Sequence, residues 1–413
     1  MSKRWRIFAV LALMYILAYF FRISMAVVAR DLAADLTLSA AQLGTLSGVF
    51  FYIYAFVQIP LGPLLDRFGG RKVISVFGLA SAAGGFLFAL APGYGAALGG
   101  RLLIGAGTAC VLMGSLKIFT AWFTRQEFAT VAGFMVAVGN LGNLAATAPL
   151  AVAVSQFGWR ASFMTVGAVQ LAVALLVYLL VRDHPVASAH SPHDEAASED
   201  PGGILAAWRV IFANRSFWLL SFLSFCWYGN YMVLQGLWGG PYLMEAAGMG
   251  RAEAGRVLLF TSLGFIGGSA LQGRITNRLF GSHKKTLLAG QTLLLILMTL
   301  MLGPAERLPR PMLAGAFFLI GIAVSSGVAI YPMVREMFPV RIVATALTSL
   351  NFFVLMGAAM VQQGMGLYIE RFPKGPAGYP PQAYHGAFLI PICSLALALV
   401  FFLFVTEPHP EKH

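Results

Sequence analysis

Long apolar runs, each near the length of a bilayer crossing and separated by short polar turns, dominate this 413-residue chain. About 20 apolar residues in a helix cross the roughly 30 Å hydrocarbon layer with every backbone group bonded internally, so such runs leave few folding options. The runs and the charges between them predict helices at 5–29, 41–65, 73–91, 96–120, 128–155, 160–181, 217–244, 254–272, 286–303, 311–337, 344–370 and 386–406. Because the runs are continuous, a transmembrane barrel of alternating strands is excluded. Charged residues make up 11% of the chain, against about 25% in soluble domains, so the expected surroundings are the lipid bilayer. The net charge of +12 then reflects membrane orientation and not a nucleic-acid partner.

The amino end, Lys3-Arg4-Trp5-Arg6 followed by fifteen apolar residues, has the outline of a signal peptide with an exit near Ala29. The apolar stretch continues past Arg22 and further runs follow, so it is read as the first span. Cys110, Cys226 and Cys393 lie far apart within apolar runs, with no metal or redox spacing, and are read as buried thiols. The polar stretch 182–203, rich in Pro, Ser, His and acids, separates six spans from six; an amphipathic segment at 208–214 follows it. The expected organisation is a six-helix bundle at 1–181, a cytoplasmic linker at 182–215 and a second bundle at 216–413. With the amino end in the cytoplasm, seventeen Lys and Arg fall on the inner side and nine on the outer side, which places both ends inside.

A basic turn recurs in both halves. After the second span stands Gly62-Pro63-Leu64-Leu65-Asp66-Arg67-Phe68-Gly69-Gly70-Arg71-Lys72, and after the eighth Gly273-Arg274-Ile275-Thr276-Asn277-Arg278 with Gly281 and Lys284-Lys285. Matching turns at matching places mark a duplicated six-helix unit. The turn resembles the Gly-x-x-x-Asp-Arg-x-Gly-x-Arg signature of the major facilitator superfamily, and Arg101, Gly105 and Gly107 resemble its Arg-x-x-x-Gly-x-Gly pattern on span 4. The resemblance covers the whole chain. It implies twelve helices in two pseudo-symmetric bundles around a central cavity, alternating access, and a conformational latch at Asp66, Arg67 and Arg71, with Arg101 grouped beside them. Asn277 lacks the charge for that role. The Gly-Pro and Gly-Gly pairs of the drug-exporter signature are missing from span 5, which reads Gly139-Asn140-Leu141-Gly142-Asn143.

Arg22 and Lys117 fall within apolar spans, where an ionisable group costs at least about 2.5 kcal/mol and marks a ligand or ion path by default. Tyr15, Tyr19 and Arg22 share one helix face, and a guanidinium framed by phenols suits a carboxylate or phosphate. Snorkelling to the headgroups is the competing account of both cations. The run Lys117-Ile118-Phe119-Thr120-Ala121-Trp122-Phe123 and the setting Tyr19-Phe20-Phe21-Arg22 resemble the anion:cation symporter branch of the superfamily, which implies anion binding at Arg22 and Lys117. Proton-coupled members of that branch often carry a carboxylate where this chain has Phe21. The sixteen acids avoid span interiors and the seven histidines are assigned to loops or tails. Exchange, uniport and a substrate-borne proton therefore remain equally open.

In the second half, Tyr228, Tyr231 and Gln235 on span 7 are spaced to share a face, and Gly236, Gly239, Gly240 and Pro241 weaken its outer end. Tyr54 and Gln58 on span 2, Asn140 on span 5, Tyr331 on span 10 and Asn351 on span 11 complete the candidate substrate site; each also suits a role as polar glue between helices. The expected function is transport of a small anionic metabolite by a monomer in the inner membrane, with no cofactor or metal. A zwitterionic amino acid or short peptide is the alternative cargo. A non-transporting sensor is the alternative class, and an enzyme is disfavoured because no His, Cys or acid cluster lies in a span.

Overall fold

The computed structural model describes residues 3–184, 203–376 and 378–405, and the chain divides into two compact units, Met1–Ala196 and Ala197–His413. Among the described residues the architecture is helical, with one isolated antiparallel bridge between Gly375 and Gly378. Most of the expected linker, 185–202, lies outside the described residues.

In the first unit, span 1 is α1 (Lys3–Ile23) and α2 (Met25–Asp35), joined at Ser24, so it runs further than expected. Span 2 is α3 (Ala40–Phe68) and span 3 is α4 (Gly70–Ala89); span 4 is broken into α5 (Tyr94–Thr108) and α6 (Val111–Trp122). α7 (Arg125–Ala145) and α8 (Ala148–Leu180) form one apolar stretch, of which Thr130–Leu180 alone has 51 residues. At 1.5 Å per residue that is about 76 Å, more than two bilayer cores. Gly158, at φ +79° and ψ 165°, breaks it into spans 5 and 6. Eleven helical stretches are long and apolar enough to cross a membrane, and dividing this one makes twelve spans.

The second unit begins with α9 (Gly203–Ala213), the expected amphipathic segment, which starts five residues earlier than read from sequence. Span 7 is α10 (Arg215–Met232), a π turn at Val233–Trp238, α11 (Gly239–Pro241) and a second π turn at Tyr242–Ala246. Pro241 brings no N–H to the ladder, and the wider π turns carry the chain past it. α12 (Arg251–Arg274), α13 (His283–Met298), the short α14 (Pro304–Arg307), α15 (Arg310–Ser325) with α16 (Ile330–Met337), α17 (Val340–Ile369) and α18 (Pro381–Phe402) supply the rest.

Small residues set the closest helix contacts in both units, as expected where lipid gives no hydrophobic drive between helices. A side chain at Gly139 would meet the Tyr15 ring and one at Gly142 the Ile16 carbonyl, so these glycines seat α7 on α1. Gly105 lies against Phe50 of α3, and Gly107 against Phe77 and Ser81 of α4, which draws α5 between them. In the second unit Gly264 and Gly321 join α12 to α15, and Gly229 and Gly357 join α10 to α17.

Two sequence readings change. Cys110 and Cys226 are buried, but Cys393 is exposed; it shares an outward stripe of α18 with Leu389, Leu397 and Val400, the face a bilayer would cover. His283 and His385 stand in the first turns of α13 and α18 and are paired with glutamates, not placed in loops.

Candidate functional site

Arg22 lies at the last turn of α1, 9% exposed, immediately before the break at Ser24. Its guanidinium carbon sits 4.7 Å from the ring centre of Tyr19 on the same helix and 5.2 Å from that of Tyr54 on α3. The Tyr15 hydroxyl donates to that of Tyr19 at 3.2 Å, with the two rings edge to face at 4.8 Å. Three tyrosines and one arginine from two helices thus form a single cluster, in which the aromatic faces stabilise the cation and the phenols supply directed hydrogen bonds.

α7 backs this cluster. Its glycines press on Tyr15, Ile16 and Tyr19, while Asn140, one position on, donates to the Val136 carbonyl and accepts from Asn143 at 3.1 Å. The Asn143 carbonyl oxygen is buried without a hydrogen-bond partner. Gln58, one turn after Tyr54, donates to the Ala109 carbonyl at 3.0 Å, where span 4 breaks between α5 and α6. Its amide N–H is thereby committed to the helix break.

Lys117 is not part of the Arg22 cluster. Its ammonium donates to the Leu65 carbonyl at 3.1 Å, eleven residues beyond Tyr54 on α3, which is about 16 Å along the helix. It stands at the basic turn, one residue from Asp66, whose side chain lies outside the described residues. In that turn Gly69 adopts φ +79°, and Asp183 reaches over from the end of span 6 to accept the Arg71 backbone N–H at 2.8 Å. The Arg71 side chain donates to the Tyr178 carbonyl at 2.8 Å and stacks on the Tyr178 ring. It is therefore occupied in tying α4 to α8. Arg67 is exposed and lies over Phe68.

Arg101 is absent from the basic turn. It is fully buried on α5, donating to the carbonyls of Phe21 at 2.9 Å and Leu46 at 3.1 Å, with its guanidinium over the Phe50 ring. Sequence reading counted it among the nine outer cations, although the predicted span 4, 96–120, already contained it. α5 begins at Tyr94, which sets Arg101 two turns inside the helix. The Arg-x-x-x-Gly-x-Gly spacing acquires a physical meaning here: Gly105 seats α5 on α3 and Gly107 seats it on α4, and the arginine one turn earlier reaches the carbonyls of α1 and α3.

In the second unit Tyr228 and Tyr231 lie with rings 6.0 Å apart, and Tyr231 stacks on Phe265 of α12 at 5.4 Å. Gln235 does not share an open face with them. It is fully buried and donates to Ser262 at 2.9 Å and to the Leu258 carbonyl, tying the π turn to α12. Tyr331 on α16 and Asn351 on α17 are half-buried. Sequence reading missed the amide ties Asn230 to Pro391, Gln291 to Ser326 and Gln362 to Met232, whose partners are too far apart in the chain for periodicity to pair them. Among the described residues no three His, Cys, Asp or Glu side chains are grouped to hold a metal ion.

Comparison with known proteins agrees with this architecture. The chain resembles the probable sulfoacetate transporter of Cupriavidus necator, 28% identical over 290 residues that cover 68% of this chain and 66% of that protein. It also resembles the probable L-galactonate transporter of Escherichia coli, 28% identical over 296 residues, covering 67% and 62%. The chain thus spans slightly under two thirds of the length of these curated relatives. A bacterial homologue of the human lysosomal transporter Spinster, in an inward-facing and unoccupied conformation, has the same fold, with a TM-score of 0.80, 20% identity and coverage of 98% and 97%. The profile of the Major Facilitator Superfamily matches residues 11–302 and 236–413; the chain belongs to this superfamily of membrane transporters.

Proposed function

We propose that this protein carries a small organic anion, a carboxylate-bearing metabolite, across the inner membrane by alternating access of its two units, with Arg22 as the main anchor. The observation that carries the reading is the buried Arg22 guanidinium set against the rings of Tyr19 and Tyr54. A guanidinium is suited to planar, charge-assisted pairing with a carboxylate, and the Tyr15 and Tyr19 hydroxyls lie close by for the polar remainder of the cargo. The names of the two relatives, for sulfoacetate and L-galactonate, support an anionic substrate. Lys117 is assigned to the latch turn and not to the cargo, because it is engaged at Leu65. The unit of function is the monomer, with bundles at 1–181 and 216–413, a cytoplasmic linker between them and both termini in the cytoplasm. The activity is transport and not catalysis.

The test is thermal stabilisation of the detergent-purified protein by carboxylates, phosphate esters, amino acids, dipeptides and neutral sugars, for the wild type and Arg22→Ala. A ligand at a hundred times its Kd stabilises the native state by about 2.7 kcal/mol. Anions are expected to raise the melting temperature of the wild type and leave Arg22→Ala unmoved; the best compound then goes to vesicle uptake, where saturable flux excludes a sensor. Response to neutral compounds alone, or an unchanged response of the variant, overturns the anion reading.

A further inference from the structure

α9 has 11 residues, about 16 Å of helix at 1.5 Å each, which is too short to cross a bilayer. It packs on α17 and α10 and buries Ala207 and Ile211, which share one stripe a turn apart. At 3.6 residues per turn, Arg209 projects directly away from that stripe, with Trp208 and Phe212 on one flank and Val210 on the other. Phe212 is 39% and Val210 52% exposed. Only Asn214 separates this helix from α10, where span 7 begins, so its outer face stands at the edge of the membrane.

The corner between the two helices is fixed. The Asn214 side chain accepts the Phe217 backbone N–H at 3.1 Å, and the Trp218 indole N–H donates to the Phe212 carbonyl at 2.8 Å. The Phe212 and Trp218 rings lie 5.5 Å apart, and Trp218 meets Phe353 of α17 edge-on at 5.5 Å. Trp218 is nevertheless 46% exposed. With its N–H spent on the backbone, what it shows outward is apolar ring, a surface that lipid covers and water does not favour.

The charge at this corner has one sign. Arg209 and Arg215 are exposed, and among the described residues neither guanidinium is hydrogen-bonded or ion-paired. The stretch 201–244 contains no Asp or Glu. Glu336, two residues before the Phe338 that packs on Phe217, is paired with His283.

We propose that the α9–α10 corner is a docking surface for anionic phospholipid, with Arg209 and Arg215 at the phosphates and the rings of Phe212 and Trp218 beside the acyl chains. Aromatic rings favour the headgroup boundary, and a short helix with arginine between apolar flanks lies in that boundary. Each arginine near an anionic membrane surface tightens association about fivefold. A zwitterionic headgroup cancels its phosphate with its own ammonium, so two unpaired arginines with no acid beside them select the net negative kind. Bound lipid pins α9 to the leaflet that borders the start of span 7. This surface is independent of the cargo assigned to Arg22.

Hydrogen exchange of the full-length protein tests it, in nanodiscs of phosphatidylcholine alone or with about a third phosphatidylglycerol. Protection at 207–213 is read against 303–308, the 9–10 connection, which the Arg310 and Glu253 pair ties to the far end of span 7. Wild type should gain at least about fivefold protection from phosphatidylglycerol. About 1 M salt, with a Debye length of about 3 Å, should remove most of that gain. The double variant Arg209→Gln with Arg215→Gln should show the phosphatidylcholine level in both discs, and Arg209→Lys with Arg215→Lys should keep most of the gain. Equal wild-type protection in the two discs, a gain kept at high salt or by the glutamine variant, or a lysine variant that behaves like the glutamine one overturns the proposal. Inorganic phosphate that reproduces the gain in phosphatidylcholine discs also overturns it, because the corner would then serve a soluble anion.

Discussion

Arg101 donates to the carbonyl of the residue that precedes Arg22, so two buried guanidiniums of the first unit are neighbours through one peptide group. Their surroundings separate their roles. Arg22 faces aromatic rings and phenols, whereas Arg101 spends two N–H groups on backbone carbonyls of α1 and α3. The Phe21 carbonyl lies just before the break at Ser24, whose own hydroxyl also reaches it, at 3.3 Å. Arg101 thus supplies a donor where the interrupted helix does not. Arg101→Ala leaves both carbonyls short of that donor, each loss costing about 1 to 3 kcal/mol. We expect a net destabilisation of about 2 kcal/mol and a melting temperature about 2 to 3 °C lower. Arg101→Lys should recover only part, because an ammonium cannot reproduce the planar fork. A melting curve of purified Arg101→Ala within a degree of wild type would sink this account. Arg22 was legible in the sequence because apolar residues enclose it on both sides; Arg101 was legible as part of the span 4 pattern, but its carbonyl partners, Phe21 and Leu46, lie 80 and 55 residues away and no periodicity pairs them.

Elements are held at their ends by caps whose residues are local in sequence. Thr124 and Glu127 form a capping box at the start of α7: the Glu127 backbone N–H donates to the Thr124 hydroxyl, and the Thr124 backbone N–H donates to the Glu127 carboxylate at 3.1 Å. Arg4 adds an ion pair to the same carboxylate at 2.9 Å, from the start of α1. The Thr124 backbone hydrogen bond first, then the Thr124 hydroxyl and Arg4, hold the Glu127 carboxyl below its ordinary range. A carboxyl depressed in the folded state contributes stability that is complete above the unfolded value, about 4.3, and disappears as the pH falls through the folded value. The gap in melting temperature between wild type and Glu127→Ala should therefore be full near neutral pH and shrink below about pH 4. A gap that stays constant through acid would show that the side chain acts by packing and not by charge. Breaks inside spans were not legible in the sequence. Ser24 and the Ala109–Cys110 step interrupt continuous apolar sequence while keeping helix-like dihedral angles, so neither composition nor periodicity changes there. Partner choice was equally hidden: Lys117 finds Leu65 and Gln58 finds Ala109 across about fifty residues.

At the scale of the whole molecule, the number of spans decides which side of the membrane the termini occupy, and that number depends on one glycine. Were the 51-residue stretch Thr130–Leu180 a single crossing, the amino end and the linker would lie on opposite sides. Gly158 turns the chain back, and its neighbours show where. Trp159 and Arg160 both donate to Asp35 at the end of α2, and Arg160 also donates to the carbonyls of Ala89 and Ala91 at the end of α4. The 5–6 turn therefore sits at the same end of the first unit as the 1–2 and 3–4 connections, as alternating crossings require. With Arg101 buried and not in a loop, eight of the nine cations read as outer remain, against seventeen inner ones, and the bias toward cytoplasmic termini grows. The expected outcome is measurable with single cysteines in a chain whose Cys110, Cys226 and Cys393 have been replaced. A membrane-impermeant maleimide added to intact cells should label Phe157→Cys, at a position 70% exposed beside the turn. Ser191→Cys in the linker should react only after the membrane is opened. Labelling of both positions from the same side would return Thr130–Leu180 to a single crossing or a surface segment, and with it would go the even count of spans and the cytoplasmic placement of both ends.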